Sequence, residues 1–506
     1  MADTKREIEL KYEATADTEL PDLTRVTDVA SVADRGVAEL DAVYHDTRGL
    51  RLASDALTLR RRTGGDDAGW HLKFPVSTGI RDEIRAPLAP TLPRPLAALI
   101  RSRVRGEEVV PVMRLLSTRA VHHLLAADGT LLAEVSVDTV RAENLLADGR
   151  ADWRELEVEL ADGADPALLA AVGKRLRKAG VRPSASPSKL ARALTETGLR
   201  PTRPAPGGDP APGTAGAHVL DYLRAQRDAL VALDPAVRRD LPDSVHQMRV
   251  ATRRMRSAFK TYRRVLDRTA TDPVGGELRW LAAELGAARD HEVLLDRLRT
   301  RVDALPRTLL LGPVRGRLRI WNAARGSGSR RRALSTLDGP RYLALLEALD
   351  ALLQAPPLLP AAARPPEKAL AAAVRRNHDR LAARVGRALE LPPGHERDLA
   401  AHDARKAAKR ARYAGEAATA ALGKPAKRFA RAMKEVQTVL GDHQDAVVAR
   451  EALRALAVQA HLAGESAFTW GLLYGQEEAA AAAREAELPA VWARASEPGL
   501  REALGS

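Results

Sequence analysis

Charged and apolar residues alternate along several short segments of the first 160 residues, which is the pattern of β-strands with one charged face. In Glu7-Ile8-Glu9-Leu10-Lys11, the charged residues share one face, because successive side chains of a strand point to opposite sides. The same alternation recurs in five later segments: 57–62, 70–74, 81–85, 133–138 and 155–160. We therefore predict six strands, each of which has a charged face.

The signs of these charges are sorted by strand. The first segment and the last, which contains Glu155, Glu157 and Glu159, are acidic, whereas the middle segments are largely basic. Paired carboxylates can hold a hard divalent cation such as Mg2+, and a neighbouring lysine can hold a phosphate. A solvated strand face is the plain alternative. A closed barrel with the charges inward favours a metal-bound anionic substrate, since like charges about 6 Å apart otherwise repel by roughly 3 kcal/mol at an effective dielectric constant of ~20.

The strand pattern ends near residue 198. Residues 199–217 are rich in proline and glycine and predict a linker. Residues 218–500 show helical periodicity, which is broken at 322–332 and again at the proline-rich 355–366. The second break divides the helical region into two halves, about 218–354 and 367–500.

A motif of one histidine and four basic residues occurs in both halves. Its copies are His246, Arg249, Arg253, Arg254 and Arg256, and then His402, Arg405, Lys409, Arg410 and Arg412, displaced by 156 positions. A Leu-Gly pair at 285–286 recurs at 440–441, displaced by 155. Two motifs displaced by nearly the same amount indicate a duplicated α-helical unit.

The basic residues of the first copy continue to Lys260 in steps of three and four, which places them along one stripe of a helix. An apolar stripe that includes Met248, Met255 and Phe259 runs one position earlier. The cations then lie beside the core, where each like-charged pair destabilises the helix by roughly 0.2–0.5 kcal/mol. We expect them to line a groove for a long anion. The alternatives are a solvated arginine-rich face and a metal site built from histidines and acids: His246, His291, His402, His443, Asp290 and Asp445.

Charge and composition narrow the choice of partners. Residues 1–200 contain 30 Lys or Arg and 31 Asp or Glu. The whole chain contains 80 and 66, so the residues after 200 contain 50 Lys or Arg and 35 Asp or Glu. The basic excess therefore lies in the helical region and predicts a polyanionic partner. Aromatic residues make up 3% of the chain, which argues against base stacking and makes nucleic acid an unlikely partner. Cysteine is absent, and no uninterrupted apolar stretch is long enough for a membrane span, so we expect a cytoplasmic protein without a membrane partner.

Residues 1–198 resemble a CYTH domain, the fold of the triphosphate tunnel metalloenzymes. Six features occur in the family's order: Glu7-x-Glu9-x-Lys11, Tyr44-His45-Asp46-Thr47, Arg60 with Arg62, Trp70-His71-Leu72-Lys73, the late Glu-x-Glu, and Ser188-Lys189. The resemblance implies an eight-stranded antiparallel β tunnel that binds triphosphate together with Mg2+ or Mn2+. It makes Glu7, Glu9, Lys11, Glu157 and Glu159 the expected catalytic set.

The same resemblance implies two groups of ligands in the tunnel. The metal-facing carboxylates are Glu7, Glu9, Glu134, Asp138, Glu157 and Glu159. The substrate-binding cations are Lys11, Arg60, Arg62, Lys73, Arg81, Arg119 and Lys189. In the last strand, Glu155-x-Glu157 is an alternative register to Glu157-x-Glu159.

Residues 218–500 resemble a CHAD domain, an all-helical domain associated with inorganic polyphosphate. The resemblance implies two four-helix bundles related by pseudo-twofold symmetry around a basic pocket, and it makes the chain an α+β multidomain protein. The expected polyphosphate-binding residues are His246, Arg249, Arg253, Arg254, Arg256, Lys260, His402, Arg405, Lys409, Arg410 and Arg412.

These resemblances predict a metal-dependent triphosphatase that hydrolyses inorganic tripolyphosphate in its CYTH domain and binds polyphosphate through its CHAD domain. Association with polyphosphate granules is a further expectation. Three alternatives stay open: an adenylate cyclase, a thiamine or RNA triphosphatase on the same barrel, and a granule-binding protein without catalytic activity. Protein partners and oligomeric state are not predicted.

Overall fold

The computed structural model describes residues 3–201, 207–326 and 328–504, which divide into two units at residues 204 and 205. The first unit contains eight strands. They are β1 (Asp3–Ala14), β2 (Ser31–Asp46), β3 (Thr58–Thr63), β4 (Gly69–Ser77), β5 (Ile80–Pro87), β6 (Val110–Leu125), β7 (Leu131–Asn144) and β8 (Arg150–Leu160). The predicted linker at 199–217 falls partly on residues 202–206, which lie outside the described residues.

These strands form a closed antiparallel barrel in the order β1-β5-β4-β3-β2-β6-β7-β8, which confirms the predicted fold of the first unit. The first and last strands become neighbours on closure, because Lys11 of β1 pairs with Glu157 of β8 and Glu9 with Glu159. The two acidic segments at opposite ends of the sequence therefore join into one acidic wall.

The outside of the barrel is apolar and is covered by helices, which is why its charges face inward. The short helix α1 (Arg51–Ser54) follows β2, and three longer helices pack on the wall: α2 (Arg94–Val104), α3 (Ala167–Lys178) and α4 (Lys189–Glu196). Leu156 and Val158 of β8, for example, belong to the same buried cluster as Val172 of α3. With one face of each strand used for helix packing, the alternating charged residues have only the interior left.

The second unit is helical throughout its described residues. Its helices are α5 (Ala215–Arg238), α6 (Ser244–Thr261), α7 (Arg268–Glu284), α8 (Gly286–Asp303), α9 (Val314–Gly326), α10 (Ser329–Asp338), α11 (Pro340–Gln354), α12 (Pro366–Glu390), α13 (His395–Leu462), α14 (Phe468–Ala495) and α15 (Pro498–Glu502). Helix α13 bends at Gly423, whose φ of 62° is left-handed and which precedes Pro425 by two positions. The α+β class of the chain is confirmed.

The two sequence repeats share one core. Met248 and Phe259 of α6 belong to the same buried cluster as Leu370 and Leu381 of α12 and Phe429 of α13. The stripe predicted for the first repeat is buried as expected at Met248, Met255 and Phe259, which are at most 3% exposed. Over the described ranges, no helix is long and apolar enough to cross a membrane.

Candidate functional site

The barrel encloses a cavity of about 540 Å³ whose walls are charged. Ten Lys or Arg and seven Asp or Glu line it, an excess of three positive charges. The predicted residues that line it are Glu7, Glu9, Lys11, Arg60, Arg62, Lys73, Arg81, Arg119, Glu134, Glu157, Glu159 and Lys189. Asp138 is not among the lining residues, because it lies behind two of these cations and is 0% exposed.

The carboxylates of the acidic wall lie side by side because of the strand register. Glu9 of β1 is opposite Glu159 of β8, which in turn is opposite Glu134 of β7. Glu157 occupies the next inward position of β8, beside Lys11. The last acidic strand therefore presents Glu157 and Glu159 to the cavity, while Glu155 is buried next to Lys189.

Each lysine of the wall is paired with a carboxylate. Lys11 contacts Glu157 and lies 3.1 Å from Glu9, and Lys73 donates to Glu7 over 2.6 Å. Burial alone would lower the pKa of Lys11, but Glu157 and Glu9 raise it above its ordinary value. Burial alone would likewise raise the pKa of Glu157, yet Lys11 and the nearby cations hold it well below its ordinary value. Lys11 and Glu157 thus form an ionised pair, whereas burial raises the pKa of Glu7.

Lys189 closes this network from the start of α4, where Ser188 caps the helix by accepting a hydrogen bond from the Ala191 amide. Its ammonium lies 2.9 Å from Asp138 and 2.6 Å from both Glu155 and Glu157. Burial opposes the charge of Lys189, but Asp138 and the two glutamates raise its pKa. Asp138 also accepts two hydrogen bonds from Arg119, over 2.8 and 2.9 Å. Asp138 therefore holds two cavity-facing cations in place.

A second buried acid was not assigned to the site from the sequence. Glu83 of β5 is 0% exposed, accepts from His71 over 2.8 Å, lies 3.4 Å from Lys73 and contacts Arg85. Burial would raise the pKa of Glu83, but His71 and Lys73 hold it far below its ordinary value. Burial lowers the pKa of His71 to about 4, so the imidazole is neutral at pH 7.

Other lining residues were also missed, and some had a signal in the sequence. Lys5 continues the alternation of β1 by one more step, and it contacts Glu159 over 2.5 Å. Arg85 shares a strand face with Arg81 and Glu83, so it could have been included with them. Arg35, Asp66, Asp67 and His123 line the cavity from segments where no charged alternation was noticed.

The donor set fits a hard divalent cation, because most of its ligand atoms are carboxylate oxygens, and the imidazole of His123, 3.6 Å from Glu134, adds a nitrogen. Glu7, Glu9, Glu134, Glu157 and Glu159 face the cavity. A tighter group consists of Asp138, Glu155 and Glu157, whose oxygens lie within 4.8 Å of one another. Lys189 already lies among those three, as a cation in a place suited to a metal ion. The cavity-facing carboxylates are therefore the better candidates.

In the helical unit, the repeated basic residues meet across α6 and α13. Burial and the neighbouring Arg405 and Arg253 lower the pKa of Lys409 to about 8. The Nε atoms of Arg253 and Arg405 are buried without a hydrogen-bond partner. Asp445 lies 3.9 Å from Arg405 and is the nearby acid. We call Arg249, Arg253, Arg405 and Lys409 the central cluster.

The repeated Leu-Gly pair gives the arginines of the central cluster their space. A Cβ at Gly286 would lie 3.0 Å from the guanidinium of Arg249, which donates to the Gly286 carbonyl over 3.4 Å. Gly441 lies beside Arg405, but a Cβ there would be in ordinary contact at 3.8 Å, so the space is tight only in the first repeat. The motif therefore places one arginine of each repeat beside a glycine.

Two of the predicted polyphosphate ligands are engaged elsewhere. Arg254 and Arg412 both donate to Glu416, over 3.0 and 2.6 Å, and both lie over the ring of Tyr413. Their counterparts in the motif, Arg410 and Arg256, have no ion pair among the described residues. Equivalent arginines of the two copies of the motif thus differ, because one of each pair is neutralised by Glu416 and the other is not.

The histidines do not converge on one metal site in the described residues. His402 contacts Gln444 over 2.5 Å, and His291 contacts Asn322 over 3.0 Å. His443 lies 3.3 Å from Asp398 and 3.1 Å from Glu485, whose other oxygens accept from Arg450 and Arg397. The side chain of Asp290 lies outside the described residues.

A charged tunnel in a closed eight-stranded barrel, followed by a duplicated helical unit, defines a two-domain protein of a recognisable class. The family model described as CYTH domain matches residues 5–194, and that described as CHAD domain matches residues 221–454. The chain belongs to the family that joins these two domains, as the sequence predicted. CYTH domains are typically metal-dependent triphosphatases or cyclases.

Similar proteins include two from Mycobacterium tuberculosis, the uncharacterized proteins MT2285 and Rv2226. Each is 41% identical over 490 residues, covering 93% of this chain and 92% of the relative. Among solved structures, PptA from Streptomyces chartreusis is 21% identical, with a TM-score of 0.47 over 55% of this chain and 99% of its own. The CHAD domain from Ricinus communis is 27% identical, with a TM-score of 0.44 over 59% and 97%.

Proposed function

We propose that the barrel hydrolyses inorganic tripolyphosphate with Mg2+ or Mn2+, and that the helical unit binds inorganic polyphosphate. The observation that carries the first part is the enclosed cavity lined by ten cations and seven carboxylates. The ten cations offer partners to the phosphate oxygens of tripolyphosphate, and the seven carboxylates offer oxygen ligands to the divalent cation that it carries. An enclosed interior of both signs suits an anion that arrives with its own metal ion.

The existing ion pairs indicate how substrate enters. When phosphate oxygens take over Lys11 and Lys73, the carboxylates of Glu9 and Glu7 lose their nearest cations, while Glu157 keeps its contacts with Lys189 and Arg119. Oxygen ligands are then free on the acidic wall, beside the bound phosphates. A divalent cation held there would neutralise charge on the terminal phosphoryl group and orient it.

The remaining work of catalysis is positioning. Arg119 is fixed by two hydrogen bonds to Asp138, and Arg60 lies 4.0 Å from Glu83, so these guanidinium groups keep their places before substrate arrives. Cations held in this way stabilise the charge that develops on the transferring phosphoryl group without reorganising. Water is the attacking group in this proposal, in line with the bond to the leaving phosphate.

The lining of the cavity supports an inorganic substrate over a nucleotide or thiamine triphosphate. Tyr44 and His123 are the ring-bearing residues of the lining, and the hydroxyl of the buried Tyr44 faces Arg60 at 3.4 Å. A purine or thiamine ring would gain little stacking in such a cavity. An inorganic phosphate chain needs only the charged groups that are present.

The second part of the proposal is supported by the central cluster. Its four cations come from two helices of different repeats, and burial together with mutual repulsion lowers the pKa of Lys409 to about 8. Cations held this close together are stabilised by a polyanion. Inorganic polyphosphate is preferred over nucleic acid, because aromatic residues make up 3% of the chain.

The test is to incubate the purified protein with tripolyphosphate, ATP or thiamine triphosphate, with Mg2+ or Mn2+, and to measure phosphate release. Glu7→Ala and Glu9→Ala should lose activity by at least about 100-fold, because each removes a carboxylate of the acidic wall. Glu19→Ala, at an exposed residue away from the cavity, is the matched control.

The outcomes separate the alternatives. Release that is fastest from tripolyphosphate and is lost in the two variants supports the proposal. Cyclic AMP and pyrophosphate formed from ATP would identify a cyclase instead. No release from any substrate with either metal would leave only a binding protein and would refute the enzymatic part.

A further inference from the structure

The two repeats of the helical unit carry different charges beyond the central cluster. Lys260 of α6 and Glu416 of α13 occupy equivalent positions, since they differ by the 156 positions that separate the repeated motifs. Lys260 is exposed and has no ion pair with the residues that the structure describes, whereas Glu416 accepts from Arg254 over 3.0 Å and from Arg412 over 2.6 Å. The same place in the fold is therefore cationic in one repeat and neutralised in the other.

The first helix of each repeat shows the same difference. The buried residues Leu220, Leu223 and Leu230 of α5 correspond to Ala371, Val374 and Leu381 of α12, each displaced by 151. With this alignment, Arg376 and Arg380 of α12 correspond to Ala225 and Ala229 of α5. Ala225 is exposed and Ala229 is half-buried, so α5 presents no charge at the positions where α12 presents two.

The cations around Lys260 and α12, which over the described ranges lack a neutralising acid such as Glu416, are close enough to repel one another. Burial and then Arg410, Arg256 and Arg279 lower the pKa of Lys260. Burial and then Arg380 lower the pKa of Arg410.

This repulsion continues along α12. Burial and then a group of arginines that includes Arg264, Arg263 and Arg380 lower the pKa of Arg376. We name the set the lateral track; it consists of Arg256, Lys260, Arg279, Arg410, Arg380 and Arg376. No ion pair to any of them exists within the described residues. Three members have cationic counterparts: Arg256, Arg410 and Arg279 correspond to Arg412, Arg254 and Lys434. Of these counterparts, Arg412 and Arg254 are paired with Glu416.

We propose that polyphosphate leaves the central cluster in one direction, along the lateral track, and does not follow the symmetry-related side. The lateral track then binds the phosphates that flank those held centrally, with Arg279, Arg376 and Arg380 as ligands that the repeated motif does not contain. Glu416 blocks the other direction by neutralising Arg254 and Arg412 and by repelling phosphate. This inference rests on the proposed polyphosphate binding and adds its direction.

The physical reason is charge balance. On the lateral side, each phosphate replaces water around a cation that has no acid partner, and it also relieves repulsion between neighbouring cations. On the opposite side, a phosphate would have to displace Glu416 from two arginines, which gains no net charge pairing. A chain of repeating anions therefore follows the uncompensated cations.

The experiment measures binding of short and long inorganic polyphosphate to the full chain, by fluorescence competition at several salt concentrations. The double variant R376Q/R380Q should weaken binding of the long chain by about fivefold to 25-fold, since each exposed ion pair contributes up to about fivefold. It should also reduce the salt dependence, because fewer counterions are released. Binding of a chain that fills only the central cluster should not change.

Matched controls separate position from charge. R454Q removes one exposed arginine of α13 that has no ion pair in the described part of the chain and follows Leu453 of a different buried cluster, so it should leave both affinities unchanged. E416Q should leave long-chain binding equal or tighter, since it frees Arg254 and Arg412. K260E should weaken long-chain binding. Thermal unfolding of each variant checks that the helical unit is intact.

Two results would overturn the inference. If R376Q/R380Q binds long and short chains as the wild type does, or if E416Q weakens long-chain binding as much as K260E, the chain does not follow the lateral track. If the wild type binds no polyphosphate, or binds duplex DNA more tightly at equal phosphate concentration, the proposed function fails as well. A variant of the central cluster, R253Q/K409Q, distinguishes the cases because it should weaken short and long chains alike.

Discussion

Replacement of Lys189 by methionine is the most direct test of the charge network in the barrel. Methionine keeps most of the volume of the lysine side chain and removes its charge. Lys189 lies 2.9, 2.6 and 2.6 Å from Asp138, Glu155 and Glu157, and its side chain is 9% exposed. The substitution therefore leaves three buried carboxylates without the cation that they share.

The cost can be worked from the geometry. The three carboxylates have oxygens within 4.8 Å of one another, and two charges at that distance repel by about 3.5 kcal/mol at an effective dielectric constant of about 20. Loss of one partner from a buried ion pair costs about 3–5 kcal/mol, which agrees with that value. In a unit of 204 residues, this lowers the melting temperature by about 10 °C.

The effect depends on pH in a defined direction. In the wild type, burial would raise the pKa values of Asp138 and Glu157, but nearby cations, including Lys189 for both, lower them. The two ionised carboxylates therefore stabilise the folded protein at neutral pH, and this stabilisation is lost in acid. In Lys189→Met, the pKa values rise and one carboxyl takes up a proton. The loss of stability should therefore be largest at neutral pH and smaller near pH 5.

Differential scanning calorimetry of the full chain at several pH values measures this. Mg2+ or Mn2+ should restore part of the lost stability, because the three carboxylates then offer a suitable group of oxygen ligands. Lys174→Ala, at an exposed residue of α3, is the control. An unchanged melting temperature at neutral pH, or the same loss at pH 5 as at neutral pH, would refute the reasoning.

Three further predictions follow from single residues. Lys409 has a pKa of about 8 in the free protein, and bound phosphate raises this pKa. Polyphosphate affinity should therefore fall as the pH rises above 8, by up to about tenfold per pH unit. Lys409→Arg should flatten this pH profile in titration calorimetry. Glu83→Gln removes a buried acid that neutralises Lys73, so the melting temperature should fall and tripolyphosphate should raise it more than in the wild type; an equal shift would contradict this. Gly64 has a φ of 80°, and a Cβ there would overlap the Glu39 carbonyl, so Gly64→Ala should destabilise the barrel by at least about 1–3 kcal/mol in denaturant unfolding.

Much of the barrel could be predicted because strand alternation is a local property. The segment from Glu7 to Lys11 shows by itself which of its residues share a face, since every second side chain of a strand points the same way. The long strands β2 and β6 were missed by this reasoning, because few of their inward positions are charged. Their existence came only from the family resemblance.

The helical repeats were visible for a similar reason. The displacement of 156 positions between His246 and His402 is a property of the sequence alone, and helical periodicity placed Met248 and Met255 in the core. That both repeats contribute to one buried cluster could not be read from either repeat by itself. Packing between distant segments decides it.

From the amino-acid sequence alone we could derive which residues are charged, which face of each strand they occupy and that a basic motif is duplicated. The tertiary structure decided which charges are neutralised, because partners such as Asp138 with Lys189, or Glu416 with Arg254, are far apart in sequence. It also decided which face is inside, since helices cover the apolar side of the barrel. Local periodicity specifies the face to which a side chain points. Ion pairing and burial arise only when distant strands and helices pack together.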